Sequence, residues 1–295
     1  MTLVRTTAGR GYTYTLDGEP VMGVPSLIGG GLPKPALLGW AARSAARYAV
    51  DHWRCLAPRV ASGEAESVFE EIRGAPFRES NAVAVQGAEV HRYADALLRG
   101  EDAEVPEELD GYVASCSDFL DDWGVRPQLT EALVGSRTHG YAGTADLVAE
   151  LPGGEWALFL YTTRPSGVWP EAALHAAAFQ FADFYLSVAD VEVPMSALGI
   201  GAAYGVHLRA DGYAVHPLDA GEPTFQRFLE VSAVARAAKG LSALVHAPVP
   251  PPHLLKTVRP VSDPRTGRRR DMATAGEAVP ELEVLLWAVN HDDEQ

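Results

Sequence analysis

Polar and apolar residues alternate through RGYTYTL near the start of the chain, break at Asp17-Gly18, and give way to the apolar run PVMGVPSLI. A period of two interrupted by a turn dipeptide predicts a β-hairpin over residues 10–29. The period then changes. From Pro35, apolar residues recur at Leu37, Leu38, Ala41, Ala45 and Tyr48, the spacing of one helical face, and proline suits a first helical turn. Further helices are predicted at 64–73, at about 82–99 with Gly100 as C-cap, and at 107–122, ended by Gly124. The acidic run EDAEVPEELD reads as a solvated loop leading into the last of these.

Three strands are expected at about 128–138, 142–151 and 155–163, the last two joined at Gly153-Gly154. Pro170 and Glu171 open a helix running to about Leu186. Strands at 198–208 and 212–218 meet at Asp211-Gly212, and a helix at 222–239 stops at Gly240. HAPVPPPH then marks a linker, and the basic run KTVRPVSDPRTGRRR leads to a short helix at about 276–289. The pattern predicts one α/β or α+β domain over residues 1–245, with a helical part at about 33–125 and a mixed, helix-flanked sheet at about 126–240. Residues 246–295 form a Pro/Arg-rich tail.

Composition narrows the classes. The chain has 295 residues, 47 % of them hydrophobic, yet no apolar stretch is long enough to span a bilayer, so no membrane partner is expected. The opening MTLVRTTAGRGYTYTL has no apolar core of a signal peptide. Cys55 and Cys116 form no CxxC pair, which argues against a cysteine-built zinc or iron–sulfur site and fits a reducing cytoplasm. A net charge of −15 disfavours loose DNA binding and leaves a local basic groove as the means of gripping a backbone.

The candidate chemistry lies in HGYAGTADLVAELPGGEWALFLYTTRPSGVWPEAALHAAAFQFADFYL, residues 139–186. Asp146 closes GTAD on an apolar strand, where an unpaired charge is costly. It is either a Mg²⁺ ligand or a cap on the Gly-rich turn. On the next strand, a carboxylate and a lysine two residues apart would point together at a phosphate. Those places hold Leu160, which cannot ligate a metal, and Thr162, which carries no charge. Arg164 shares their face one step on. His91, within a helix, is a candidate for the metal water or a phosphate, or else a partly buried helix histidine. Glu131 and Glu150 are carboxylates that could complete a metal set from neighbouring strands, Glu131 reading otherwise as a surface strand residue. Glu171, His175 and Phe179 lie four apart on one helical face and either line a cleft or pack it. Lys256, Arg259, Arg265, Arg268, Arg269 and Arg270 make the densest positive patch, a candidate for a phosphate backbone or an acidic partner, or a solvated tail.

Taken in order, GLPKPALLGWAA, GAEVHRYADALLRG, GYAGTADLVAEL, SGVWPEAALHAAAFQFADF and GVHLRADGYAVHPLD resemble the RecB-like exonuclease branch of the PD-(D/E)XK phosphodiesterase superfamily, in versions common in actinobacterial phages and prophages. The resemblance covers about residues 10–240. It implies a restriction-endonuclease-like core. His91 would be the family's helix histidine and Asp146 its first metal carboxylate, with Mg²⁺ or Mn²⁺ as cofactor if the site is active. It also implies that Leu160 replaces an Asp or Glu, Thr162 a Lys, His175 a Gln and Phe179 a Tyr. The iron–sulfur subclass needs four cysteines and is excluded. Three readings follow: a pseudo-nuclease that binds DNA or a protein partner; a protein-interaction module; and an active exonuclease with migrated ligands, using Asp146, His91 and Glu150 or Glu131, with Arg164 on the phosphate.

Overall fold

The computed structural model describes residues 3–8, 11–101 and 104–246. Its first element, β1 (Leu3–Ala8), pairs antiparallel with β2 (Gly11–Leu16), which turns into β3 (Glu19–Gly23). The turn places Asp17 at φ 54° and Gly18 at φ 87°. Two positive values in succession match the right-handed twist of a two-residue hairpin. The hairpin expected over 10–29 is shorter than its apolar run, because VPSLIGGG forms helix α1 (Val24–Gly31) with a proline in its first turn.

Four helices follow: α2 (Pro35–Asp51), α3 (Trp53–Ala61), α4 (Ala65–Arg73) and α5 (Ala75–Leu98). No residue of α2 is buried. Helix α3 escapes the sequence pattern, since Pro58 lies inside it. Helix α5 starts well before the expected position 82, with a proline in its first turn, and its 24 residues span about 36 Å. Its second half buries Val90, Tyr93, Ala94 and Ala96, while its first half runs beside α2.

After α6 (Asp110–Asp122) come β4 (Arg126–Ser136), β5 (Tyr141–Glu150) and β6 (Trp156–Thr162). Helix α7 (Glu171–Gln180) ends short of Leu186, because Phe184–Leu186 becomes strand β7 beside β4. Strand β8 (Glu192–Pro194), β9 (Ala202–Arg209), β10 (Gly212–Pro217) and α8 (Glu222–Gly240) complete the described strands and α-helices. All ten strands join one mixed sheet. The sheet is therefore not confined to 126–240: residues 3–23 supply three of its strands. The outcome is an α+β architecture with a curled sheet. No helix among the described residues is long and apolar enough to cross a membrane.

Strand β5 organises the sheet. One of its edges runs antiparallel to β4 along nearly its whole length. The other edge is shared. Tyr141 and Ala142 pair in parallel with Met22 and Gly23 of β3, whereas Leu147 to Glu150 pair with β6. Between these ladders, residues 143–146 have no strand partner on that side. One face of the sheet packs on α1, α7 and α8 through Val134, Val148, Leu158 and Phe228. The other face carries two separate clusters. One lies under α5 and α6 around Phe119, Leu147 and Phe159; the other lies under the β1–β2 hairpin around Leu3, Tyr14 and Phe184.

Candidate metal centre

The gap in the β5 ladder is where titratable groups collect. Asp146 is its last residue, and the backbone N–H of Tyr161 donates to Asp146 Oδ2 at 2.7 Å. A side-chain oxygen thus takes a donor that the interrupted ladder leaves over. Across the other edge, Thr130 pairs with Leu147 and Ala132 with Ala145, which sets Glu131 opposite Asp146. Glu131 adopts φ 47° in mid-strand. A non-glycine residue held left-handed costs about 1–2 kcal/mol, and such strain concentrates at functional sites. The third member arrives from the second half of α5: His91 Nδ1 lies 3.8 Å from Asp146 Oδ1. One ligand atom from each of His91, Glu131 and Asp146 falls within 4.8 Å of the others.

The hairpin adds a positive charge. Arg5 and Tyr14 are cross-strand partners, and both reach Thr144 in the gap. The Arg5 guanidinium donates to Thr144 Oγ1 at 3.1 Å and to Glu131 Oε2 at 3.3 Å. Tyr14 and Thr144 hydroxyls lie 3.0 Å apart. Sequence reasoning passed over Arg5, Tyr14 and Thr144. The available signal was parity: Leu3 and Arg5 are two apart on one strand and share a face. Leu3 is fully buried, which makes an arginine beside it unusual.

Burial raises the pKa of Asp146; His91 and the Tyr161 N–H oppose the rise. Burial also raises Glu131, Asp146 pushes it further, and His91 and Arg5 oppose. Two carboxylates are thus held together against their own repulsion, with about 17 % and 29 % of their side chains exposed. This donor set fits a hard divalent ion, which takes oxygen ligands at about 2.1 Å and hence about 3–4 Å from one another. The cluster needs to contract by only about an ångström to reach that geometry. The imidazole shifts the preference towards Mn²⁺. His91, Glu131 and Asp146 would offer such an ion three protein donors and leave its remaining positions to water.

The other candidates are placed elsewhere. Leu160 is buried in the core cluster that contains Val148, Leu158 and Ala176. Its neighbour Tyr161 sits in the opposite cluster, with its ring edge-on to His91 at 5.8 Å. Thr162 accepts the backbone N–H of Arg164 at 3.3 Å. Glu150 stands at the far end of β5, paired with Arg126 at 3.6 Å, about 13 Å of strand from Asp146, and does not join the cluster. Arg164 lies over the Trp169 ring at 5.3 Å. Burial brings the His175 pKa down to about 4, helped by the positive charges of Arg164 and Lys34, so His175 is a neutral imidazole. Phe179 packs over Gly143, where an added Cβ would meet its ring at 2.4 Å. Arg268, Arg269 and Arg270, with the rest of the basic run and the helix expected at 276–289, lie outside the described residues.

No protein-family model matches this chain, and no curated protein does.

Proposed function

We propose that the protein is a nuclease-like binder of phosphodiester backbones, built on a PD-(D/E)XK core, that depends on a divalent ion and has lost rapid cleavage. The observation that carries the reading is the convergence of His91, Glu131 and Asp146 at the break in the β5 ladder. These three residues would hold Mg²⁺ or Mn²⁺, which supplies Lewis-acid attraction for a phosphate oxygen. Around it, Tyr161 N–H fixes the Asp146 carboxylate, and Arg5 holds Glu131 and balances its charge. Among the described residues, β6 offers no cation at the place where the resemblance implies a lysine, and Arg5 is engaged by Glu131. Leu160 is committed to the core and Thr162 to the Arg164 N–H. Losing such a group costs orders of magnitude in rate.

The test is calorimetric titration of Mn²⁺ into EDTA-treated protein, followed by binding and cleavage assays on linear single- and double-stranded DNA. Binding of one ion that Asp146→Ala abolishes, with DNA retained but uncut, supports the reading. A second reading, an active one-ion nuclease with a migrated ligand, is favoured by the strained backbone that holds Glu131 opposite Asp146. Robust cleavage that vanishes in Asp146→Ala would establish it instead. Failure to bind DNA even at low salt would point to a protein partner.

A further inference from the structure

A second cleft, of about 400 Å³, opens between α2 and the first turn of α5. Its wall on α2 is a single stripe: Trp40, Arg43, Ser44, Arg47 and Tyr48 recur at helical three- and four-residue spacing. Arg78 faces them from α5. Several arginines of this acidic chain find carboxylates, as Arg59, Arg99 and Arg137 do. Arg43 and Arg47 do not: among the described residues neither exposed guanidinium has an ion-pair or hydrogen-bond partner. Like charges four apart on a helix repel, so the stripe is destabilising without a counter-charge. Two carboxylates do line the cleft. Glu79 is already held by the Ser44 hydroxyl at 2.6 Å, and Asp51 lies one turn beyond Arg47.

The rings differ in availability. Tyr48 is covered on one side by His52, stacked at 4.1 Å, and approached by Arg78 at 5.2 Å. Trp40 is half-buried, and no ring stacks on it among the described residues. Since α2 buries no residue, this stripe does not serve the core. Unpaired guanidiniums beside an open indole combine backbone charge neutralisation with a stacking surface, which is how single strands are held without sequence preference. Helix α5 links the cleft to the metal centre. Arg78 and His91 lie on it about 20 Å apart along the axis.

We infer that this cleft is a second site, which binds single-stranded nucleic acid through Arg43, Arg47 and Trp40 and does so without a metal ion. It rests on the nucleic-acid part of the function proposed above and is independent of the ion. The test is fluorescence anisotropy of a labelled oligothymidylate against a salt series in EDTA. Wild type and Asp146→Ala are expected to bind alike. Arg43→Gln with Arg47→Gln should weaken binding about tenfold at low salt and reduce the salt slope by about 1.4, the value for two lost single-strand phosphate contacts. Trp40→Ala should weaken it further and leave the slope unchanged. Both arginines are exposed and unpaired, so the double variant should fold, and its melting temperature checks this. Binding that needs Mn²⁺ would overturn the second site while leaving the metal reading intact. Unchanged binding by the double variant, equal affinity for duplex, or displacement by poly-glutamate at matched charge would each overturn it too.

Discussion

Replacing Asp146 by asparagine separates what the metal centre costs the fold from what it does. The amide keeps the shape of the side chain and still offers an oxygen to the Tyr161 N–H, now 2.7 Å away. It removes one of two partly buried carboxylates whose ligand atoms lie within 4.8 Å. At that separation two unit charges repel by about 3 kcal/mol with an effective dielectric of about 20. Arg5 and His91 offset much of this, leaving a relief on the order of 1 kcal/mol in metal-free protein at neutral pH. For a domain of this size that is a melting temperature about 2–4 °C higher. Mn²⁺ at a hundred times its dissociation constant should then stabilise wild type by about 2.7 kcal/mol and the variant not at all. The order of melting temperatures therefore inverts between EDTA and Mn²⁺, which scanning fluorimetry at pH 7.5 reads directly. A variant that melts below wild type in EDTA and still gains from Mn²⁺ refutes the reasoning. The pH dependence has a definite sign. Both carboxyls are raised in the fold, so the folded state binds more protons than the unfolded one above the ordinary values of 3.8 and 4.5. The contribution of the site to metal-free stability is full below those values and lost as pH rises through the raised ones.

Three further outcomes follow from the geometry. Arg5→Gln should tighten Mn²⁺ binding several-fold by calorimetry, because Glu131 loses its competing cation; weaker binding would mean that Arg5 positions Glu131 for the ion. Leu160→Asp should lower stability by about 3 kcal/mol or more in urea denaturation, since it puts an unpaired charge among core residues, and with Thr162→Lys it should not restore cutting. A stable Leu160→Asp variant with tighter metal binding would show that this position reaches the ion. Gly31→Ala at the α1–α8 crossing should cost about 1–3 kcal/mol by the same measurement, because the new Cβ would stand 2.1 Å from the Val231 carbonyl.

The turns and one site residue were legible because their signals are local. Asp17-Gly18 and Gly153-Gly154 carry the positive φ angles that turns of their kind require. Asp146 drew notice as a carboxylate in an apolar strand. Glu131 was visible only as one of two alternatives, since nothing in RPQLTEALVGS shows that its backbone turns left-handed there. Glu150 looked equally suitable until the register assigned it to the other end of β5. The first strands were unreadable as parts of the site, because their role depends on β3 lying parallel to a strand more than a hundred residues on. FADFYL is too short for its periodicity to separate a helix from a strand; pairing of Phe184 and Tyr185 with β4 decides it. The α2 arginines look like a solvated face in the sequence, and only the position of α5 makes them a wall.

The hairpin that carries Arg5 has a consequence for how the chain matures. Leu3, Tyr14 and Leu16 cover Ala142, Phe184 and Leu186, and Arg5 waits for Glu131, 126 positions later. During synthesis this ribbon leaves the ribosome before Ala142, Phe184 and Leu186, and its apolar side stays uncovered until they follow. An isolated ribbon is barely stable in water, and contacts so distant in sequence form slowly. Assembly of the His91–Glu131–Asp146 cluster with Arg5 beside it is thus a late event. In the interval, the apolar underside of the ribbon is open to aggregation.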